Sequence, residues 1–226
     1  SPDQDVAALP GFAEGAWWVQ DIAASIAARL LGAGGDRHVL DVCAAPGGKT
    51  MQLAAQGWRV TALDKSKART TRMEANLERT GLAATVAVGD ALKWTPDAPA
   101  DAVLLDAPCS ATGIFRRHPD VLHRVGPRQI AEMAEIQEAL LARAADWIVP
   151  GGSLVYATCS LEQAEGEEQV ARFLGNRPDF RCAAPAPGVL PDGIGASPEG
   201  WIRTTPETLM DRGGADGFFI AHLVRE

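Results

Sequence analysis

The sequence predicts an α/β fold, an open and mostly parallel sheet with helices on both faces. Two observations predict it. Short apolar runs of strand length alternate along the chain with segments of helical period. The residues that end those runs are also conspicuous: a small-residue turn at 43–49, then Asp64, Asp90, Asp106 to Cys109, and Thr158-Cys159. In a parallel sheet the carboxyl ends of the strands share one edge, and ligands bind there. Five strand ends converging on one edge say more than any single motif. With 226 residues, 46% hydrophobic and 22% charged, the chain is long enough and apolar enough for one full-sized core.

The elements follow in order. HVLDV at 38–42 is the first predicted strand, ending at the small-residue turn. A helix is expected over 49–55, stopping at Gly57, and then a strand, RVTAL, at 59–63. Ser66 is placed to N-cap a helix over 67–79 that stops at Gly81. TVAV at 85–88 and DAVLL at 101–105 are the next strands. A loop with Gly113, Pro119 and Gly126 leads to Pro127, which opens a long helix. Its apolar positions Ile130, Met133, Leu140, Leu141, Ala144 and Ile148 keep helical spacing, with Gln137 the one polar break. Pro150-Gly151-Gly152 turns into a strand at 153–157, and Ser160 with Gln163 reads as the capping box of a helix over 161–174. The Pro/Gly-rich segment 183–200 reads as a surface loop, and strands near 201–204 and 217–224 end the chain. Residues 1–36 read as a helical lead-in, with Trp17-Trp18 packing an amphipathic helix onto the sheet. No repeat and no second domain is visible, so 1–226 reads as one domain.

The formal net charge is −8, from 21 basic and 29 acidic residues, which argues against a protein that coats nucleic acid. No apolar run approaches the roughly 18 residues of a membrane span, and the start shows no basic-then-apolar leader. The expectation is a cytoplasmic protein with no membrane segment. Cys43, Cys109, Cys159 and Cys182 form no Cys-x-x-Cys pair, which excludes a zinc ribbon or a thioredoxin motif. His38, His123 and His222 show no ligand spacing, and no metal is expected.

The turn Cys43-Ala44-Ala45-Pro46-Gly47-Gly48-Lys49-Thr50 joins strand to helix. Its small residues let the backbone approach a ligand closely. A P-loop would need Gly where Cys43 stands, and the dinucleotide fingerprint Gly-x-Gly-x-x-Gly is absent. Asp64, about 20 residues on, is placed to accept both hydroxyls of a ribose. A ribose partner without a pyrophosphate loop points to an adenosine cofactor lacking phosphates, which S-adenosyl-L-methionine satisfies. Asp90 would lie near the adenine. Taken singly, Asp64 and Asp90 also read as helix-cap or turn residues.

At the reacting edge the fourth strand runs into Asp106-Ala107-Pro108-Cys109-Ser110 and the fifth into Thr158-Cys159-Ser160. Two thiols and a carboxylate therefore face the cofactor's methyl end. These groups suit methylation at an unreactive ring carbon. C5 of a pyrimidine becomes nucleophilic only after a thiolate adds to C6. Asp106 is placed to stabilise the adduct at ring N3 and the exocyclic amine. The base must leave its stack to reach such a pocket.

The residues LDVCAAPGGKT (40–50), LDKSKAR (63–69), GDA (89–91), LLDAPCSATGIFRRHPD (104–120), YATCSLEQAEGEEQV (156–170) and DGFFIAHL (216–223) carry a resemblance. PGFAEGAWWVQDIAA (10–24) adds to it. The chain resembles the Sun/NOL/NOP family of RNA cytosine-5 methyltransferases, in its bacterial 16S ribosomal RNA (RsmB-like) branch. The resemblance covers nearly the whole chain. It implies a Rossmann-like class I S-adenosylmethionine-dependent methyltransferase sheet, mostly parallel and seven-stranded, with the last strand antiparallel. It implies that Cys159 is the nucleophile and that Cys109 assists proton removal and enzyme release. Cys43, Ala44, Ala45, Pro46, Gly47, Gly48, Lys49, Asp64, Asp90 and Asp106 would line the cofactor site, with Arg69 a further candidate. Lys49 would also reach the substrate base. DNA cytosine-5 methyltransferases use the Pro-Cys cysteine as nucleophile, which would make it Cys109 here; their Glu-Asn-Val motif is absent and the Thr-Cys cysteine is present, which favours Cys159. Arg116-Arg117-His118, just after Cys109, is expected to grip phosphate.

The implied partner is RNA, ribosomal RNA first and transfer RNA second, acted on by a monomer. Members of this branch carry an N-terminal RNA-binding helical domain that is absent here, so the natural protein is expected to be longer. An acidic body then presents no conflict: the chain needs to hold one extruded cytosine, not to coat RNA.

Overall fold

The computed structural model describes residues 5–226. Eight strands form one sheet: β1 (His38–Val42), β2 (Arg59–Asp64), β3 (Thr85–Val88), β4 (Ala100–Asp106), β5 (Ile148–Thr158), β6 (Phe180–Cys182), β7 (Ile202–Thr204) and β8 (Phe218–Arg225). The strand order is β3-β2-β1-β4-β5-β8-β6, with β7 also paired to β8. β1 to β5 are mutually parallel, and β8 runs antiparallel to β5. This is the expected Rossmann-like sheet with an antiparallel late strand. It has one strand more than the seven expected. The addition is β6, three residues long and paired only to the end of β8, too short to show a period of two in sequence.

The helices are α1 (Ile22–Leu30), α2 (Gly48–Ala55), α3 (Lys67–Thr80), α4 (Val121–Arg124), α5 (Pro127–Asp146) and α6 (Glu167–Asn176). They cover both faces of the sheet, and the strand residues alternate between two cores. Val39, Ala102, Leu104, Val155 and Ala157 pack with Ile26, Leu53 and Met73 of α1, α2 and α3. Leu40, Val103, Leu105, Leu154 and Tyr156 pack with Leu141, Ala144 and Phe173 of α5 and α6. Both faces being dry is what makes these strands near-continuous apolar runs.

Several local readings hold in detail. Ser66 caps α3 by accepting the Arg69 N–H, and Gly81 ends that helix in the left-handed region at φ 65°. Pro127 occupies the first turn of α5. Gln137, the polar break, is fully buried.

Three readings are corrected. The Pro150-Gly151-Gly152 stretch lies inside β5, as a register shift between the Ala100–Ile148 and Ala102–Ser153 pairs. The helix expected over 161–174 is split into a 3₁₀ turn at Gln163–Glu165 and then α6. Ser160 does not cap it. Its hydroxyl donates to Glu165 at 2.5 Å and accepts the Glu162 N–H, closing a tight turn instead. Gly166 breaks the chain between the two because a Cβ there would lie 2.8 Å from the Phe219 ring. The lead-in is helical only at Ile22–Leu30 and in a 3₁₀ turn at Val6–Ala8, residues 1–4 lying outside the described residues. Trp17 and Trp18 are outside both helices. Trp17 packs edge-on against Phe12, whose ring is covered by the Arg79 guanidinium of α3.

Among the described residues, no helix is long and apolar enough to cross a membrane.

Candidate active site at the carboxyl edge of the sheet

Because β1 to β5 are parallel and level, their carboxyl ends meet. Val42 pairs with both Leu63 and Leu105, and Asp106 stands opposite Ala157, two residues before Cys159. The sequence-predicted residues therefore share one edge, arranged around two cavities.

The first cavity, of about 370 Å³, is lined by Cys43, Asp64, Arg69, Asp90, Asp106, Cys109 and Cys159, with Leu63, Leu92, Ile136 and Leu140 as apolar walls. The second, of about 600 Å³, is lined by Ala44, Ala45, Pro46, Gly48, Lys49, Asp106, Cys159 and Phe218. The turn at 43–49 is thus the wall between them. Cys43 faces the first cavity, and the residues after it face the second. Gly47 sits inside the wall at φ 101°, where a Cβ would lie 2.6 Å from Met73. Asp106 and Cys159 line both cavities.

Asp64 is buried at 2% exposure. One carboxylate oxygen accepts the Ala45 N–H at 3.1 Å and the other accepts the Ser66 N–H at 2.9 Å. It therefore fixes the turn as well as facing the cavity, so the two readings of this residue coexist. Arg69 lies 3.5 Å from the same carboxylate and donates to the Ala45 carbonyl. Asp90 is exposed, and its carboxylate accepts the Leu92 N–H at 3.0 Å.

Asp106 accepts from Lys49 Nζ at 2.8 Å. Burial alone would lower the Lys49 ammonium, but the Asp106 and Asp41 carboxylates hold it above its ordinary value. Lys49 also lies 5.4 Å from the Phe218 ring centre. Cys109 Sγ and Cys159 Sγ are 3.4 Å apart. Cys109 is pushed well above the ordinary thiol range by its hydrogen bond to Cys159, by burial and by the nearby Glu165 charge. Of the two thiols, Cys159 borders both cavities and Cys109 only the first. Burial, then Asp106 and Asp64, push Cys43 up to about 12, so it is an inert wall residue.

Beneath the wall lies Asp41, fully buried, accepting the Thr50 hydroxyl at 2.6 Å while its other oxygen has no partner. Burial pushes its carboxyl up to about 7, against the lowering pull of Thr50 and Lys49. A carboxyl whose folded value exceeds its unfolded one binds more protons in the folded state. Its contribution to stability therefore falls as pH rises from about 4 to about 7 and is level above that. Asp41→Asn is expected to remove this fall. Thermal melts should show the variant gaining on the natural chain between pH 4.5 and pH 8, by a free energy on the order of a few kcal/mol; a constant difference across that range would refute the assignment.

Four site residues were not assigned from sequence. Glu165 is fully buried and binds the loops after both cysteines. Gln137 donates to the Pro108 carbonyl and to Glu165, and its signal was the polar break in an apolar stripe. Phe218 faces Lys49. Asp216, fully buried, takes both Arg117 and Arg116 as ion-pair partners. The last finding changes the reading of Arg116-Arg117: both guanidiniums already have carboxylate partners, Arg116 also reaching Asp21 at 3.4 Å. They fasten the loop after Cys109 to the start of β8.

Ribosomal RNA small subunit methyltransferase B of Salmonella arizonae is 41% identical over 98% of this chain and 50% of its own length. The same-named protein of Klebsiella pneumoniae is 41% identical over 97% of the chain and 49% of its own length. The chain spans about half the length of the curated relatives it matches. Among solved structures, NSun6 from Pyrococcus horikoshii with SFG superposes with a TM-score of 0.85 at 30% identity, over 98% of this chain and 56% of that one. Residues 28–224 match the model of the 16S rRNA methyltransferase RsmB/F family, and on that match the chain belongs to this family.

Proposed function

We propose that residues 1–226 form one catalytic unit that methylates C5 of a cytosine in RNA with S-adenosyl-L-methionine, small-subunit ribosomal RNA being the substrate. The observation that carries this reading is the junction of two cavities at Cys159 and Asp106. One cavity suits an adenosine cofactor: two carboxylates, Asp64 and Asp90, stand at a largely apolar chamber with no glycine cradle for phosphates. The other suits an extruded base. Methyltransferase relatives in this family, and a neighbour solved with SFG, support the same assignment.

S-adenosyl-L-methionine would supply an electrophilic methyl group at the junction. The residues of the chain do the rest. The Cys159 thiolate adds to cytosine C6, and C5 becomes the nucleophile that takes the methyl group. Asp106, held by Lys49, contacts N3 and the exocyclic amine as charge builds there. Cys109, in its thiolate form, then takes the C5 proton and becomes a thiol; the C5–H electrons restore the C5=C6 double bond and the Cys159 sulfur leaves C6 as a thiolate.

Transfer of labelled methyl from the cofactor to unmodified ribosomal RNA and to unmodified transfer RNA tests the reading. Incorporation at cytosine C5 of the ribosomal RNA is the expected result. Incorporation into transfer RNA alone would move the substrate, and incorporation into neither would leave an RNA-binding scaffold on a methyltransferase fold. Asp64→Asn is expected to weaken binding of S-adenosylhomocysteine about 10- to 100-fold by calorimetry, the cost of one charge-assisted bond to ribose. Unchanged affinity would remove Asp64 from the cofactor site.

A further inference from the structure

Cys109 and Cys159 sit on separate loops, after β4 and after β5, yet their sulfurs are 3.4 Å apart. Each cysteine is followed by a buried serine, Ser110 and Ser160. Both serines bind the same carboxylate, that of Glu165. Its Oε1 accepts the Ser110 N–H at 2.8 Å and the Gln137 amide at 3.0 Å. Its Oε2 accepts the Ser160 hydroxyl at 2.5 Å and the Ser110 hydroxyl as well. The Glu165 carbonyl accepts the Tyr156 hydroxyl at 2.8 Å and the Thr158 hydroxyl at 3.2 Å, which anchors the residue to β5.

Glu165 is fully buried and, among the described residues, has no cationic side chain within ion-pair distance. A buried carboxylate of this kind is costly for stability alone, and an apolar filling would do as well. What an apolar side chain could not do is accept from four donors that reach it from two loops and a helix. Charge-assisted bonds of this kind are short and directional.

We propose that Glu165 is the positioning residue of the reacting edge: it straps the Cys109 and Cys159 loops together and sets the separation of the two thiols. Its consequence for turnover rests on the cysteine chemistry proposed above, whereas its consequence for thiol geometry does not. The two variants Glu165→Ala and Glu165→Gln separate strapping from charge. Glutamine keeps the pattern, its carbonyl accepting from Ser110 N–H and Gln137 and its amide donating to the two serine hydroxyls, which rotate to accept. Alanine removes all four bonds of the Glu165 side chain and leaves only the direct ones between the loops, such as Gly113 N–H to the Cys159 carbonyl at 3.0 Å and Leu161 N–H to the Thr112 hydroxyl at 3.0 Å.

The experiment uses the purified chain and has two readouts. The first is the rate at which diamide oxidises the pair: an Sγ–Sγ bond forms between Cys109 and Cys159, and two electrons and two protons pass to the azo group. Peptide mapping identifies the linkage. The second is methyl transfer to RNA, with kcat and KM separated. Glu165→Ala is expected to slow cross-linking about tenfold and to lower kcat about 100-fold with KM nearly unchanged, the effect of roughly 1 Å of misplacement. Glu165→Gln is expected to restore both. Natural rates in Glu165→Ala, or a glutamine variant as slow as the alanine one, would overturn the proposal. If Glu165→Ala does not fold, Ser160→Ala removes one strap and should slow both rates by a smaller factor; natural rates there would overturn it equally. If the natural chain methylates no RNA, the proposed function fails while the cross-linking rates still decide the role of Glu165.

Discussion

Cys159→Ala abolishes methyl transfer and the covalent protein–RNA adduct, whereas Cys109→Ala accumulates that adduct: this is the expected result with the largest effect. The two sulfurs are 3.4 Å apart, but Cys159 borders both cavities and Cys109 only the first, so Cys159 is proposed as the attacking thiol. Removing the nucleophile should lower turnover on the order of 1000-fold or more. Removing Cys109 leaves addition and methyl transfer intact but takes away the base that clears C5, and the chain stays bonded to C6. Denaturing gels with labelled RNA read both outcomes. An adduct that persists in Cys159→Ala and vanishes in Cys109→Ala would reverse the assignment.

Asp106→Asn is the second. Among the described residues, the carboxylate is the one side chain besides Cys159 that lines both cavities. An amide there can hydrogen-bond the base, but it cannot pass a proton to N3 as negative charge builds on the ring. It also leaves Lys49, 9% exposed and paired to Asp106 at 2.8 Å, without its counter-ion. Turnover should fall about 100- to 10,000-fold. Cofactor affinity, carried chiefly by Asp64, should change far less. Single-turnover methyl transfer with calorimetry of S-adenosylhomocysteine separates the two quantities, and a loss in turnover below about tenfold would remove Asp106 from the chemistry.

Much of this site could be read before any coordinates. Asp64, Asp106, Cys109 and Cys159 each end a strand, or follow one closely, in a run of alternating strands and helices. That pattern implies a shared edge, because parallel strands must all point the same way. Ser66, Gly81 and Pro127 mark helix ends by chemistry local to the backbone. Where the readings failed, a distant partner overrode a local signal. Ser160 and Gln163 have the spacing of a capping box, but the Ser160 hydroxyl is drawn to Glu165. Arg116 and Arg117 look like a free basic patch, but both pair with Asp216, 99 positions beyond Arg117, while Arg117 still lines the second cavity. Trp17-Trp18 suggested an apolar helix face packed on the sheet; Trp18 does pack against the sheet's core, but from outside any helix, and Trp17 turns to Phe12 instead.

The sequence by itself determined the sheet and the edge on which the candidate groups gather, since these depend on periodicity and strand direction. Only the tertiary structure decided how those groups are arranged. It showed that the turn at 43–49 separates two cavities, that among the described residues Asp106 and Cys159 alone border both, and that one buried carboxylate binds both cysteine loops. The physical reason is that cavities and buried hydrogen bonds arise between segments far apart in the chain. Glu165 lies 55 positions from Ser110, and no local pattern records that the two must meet.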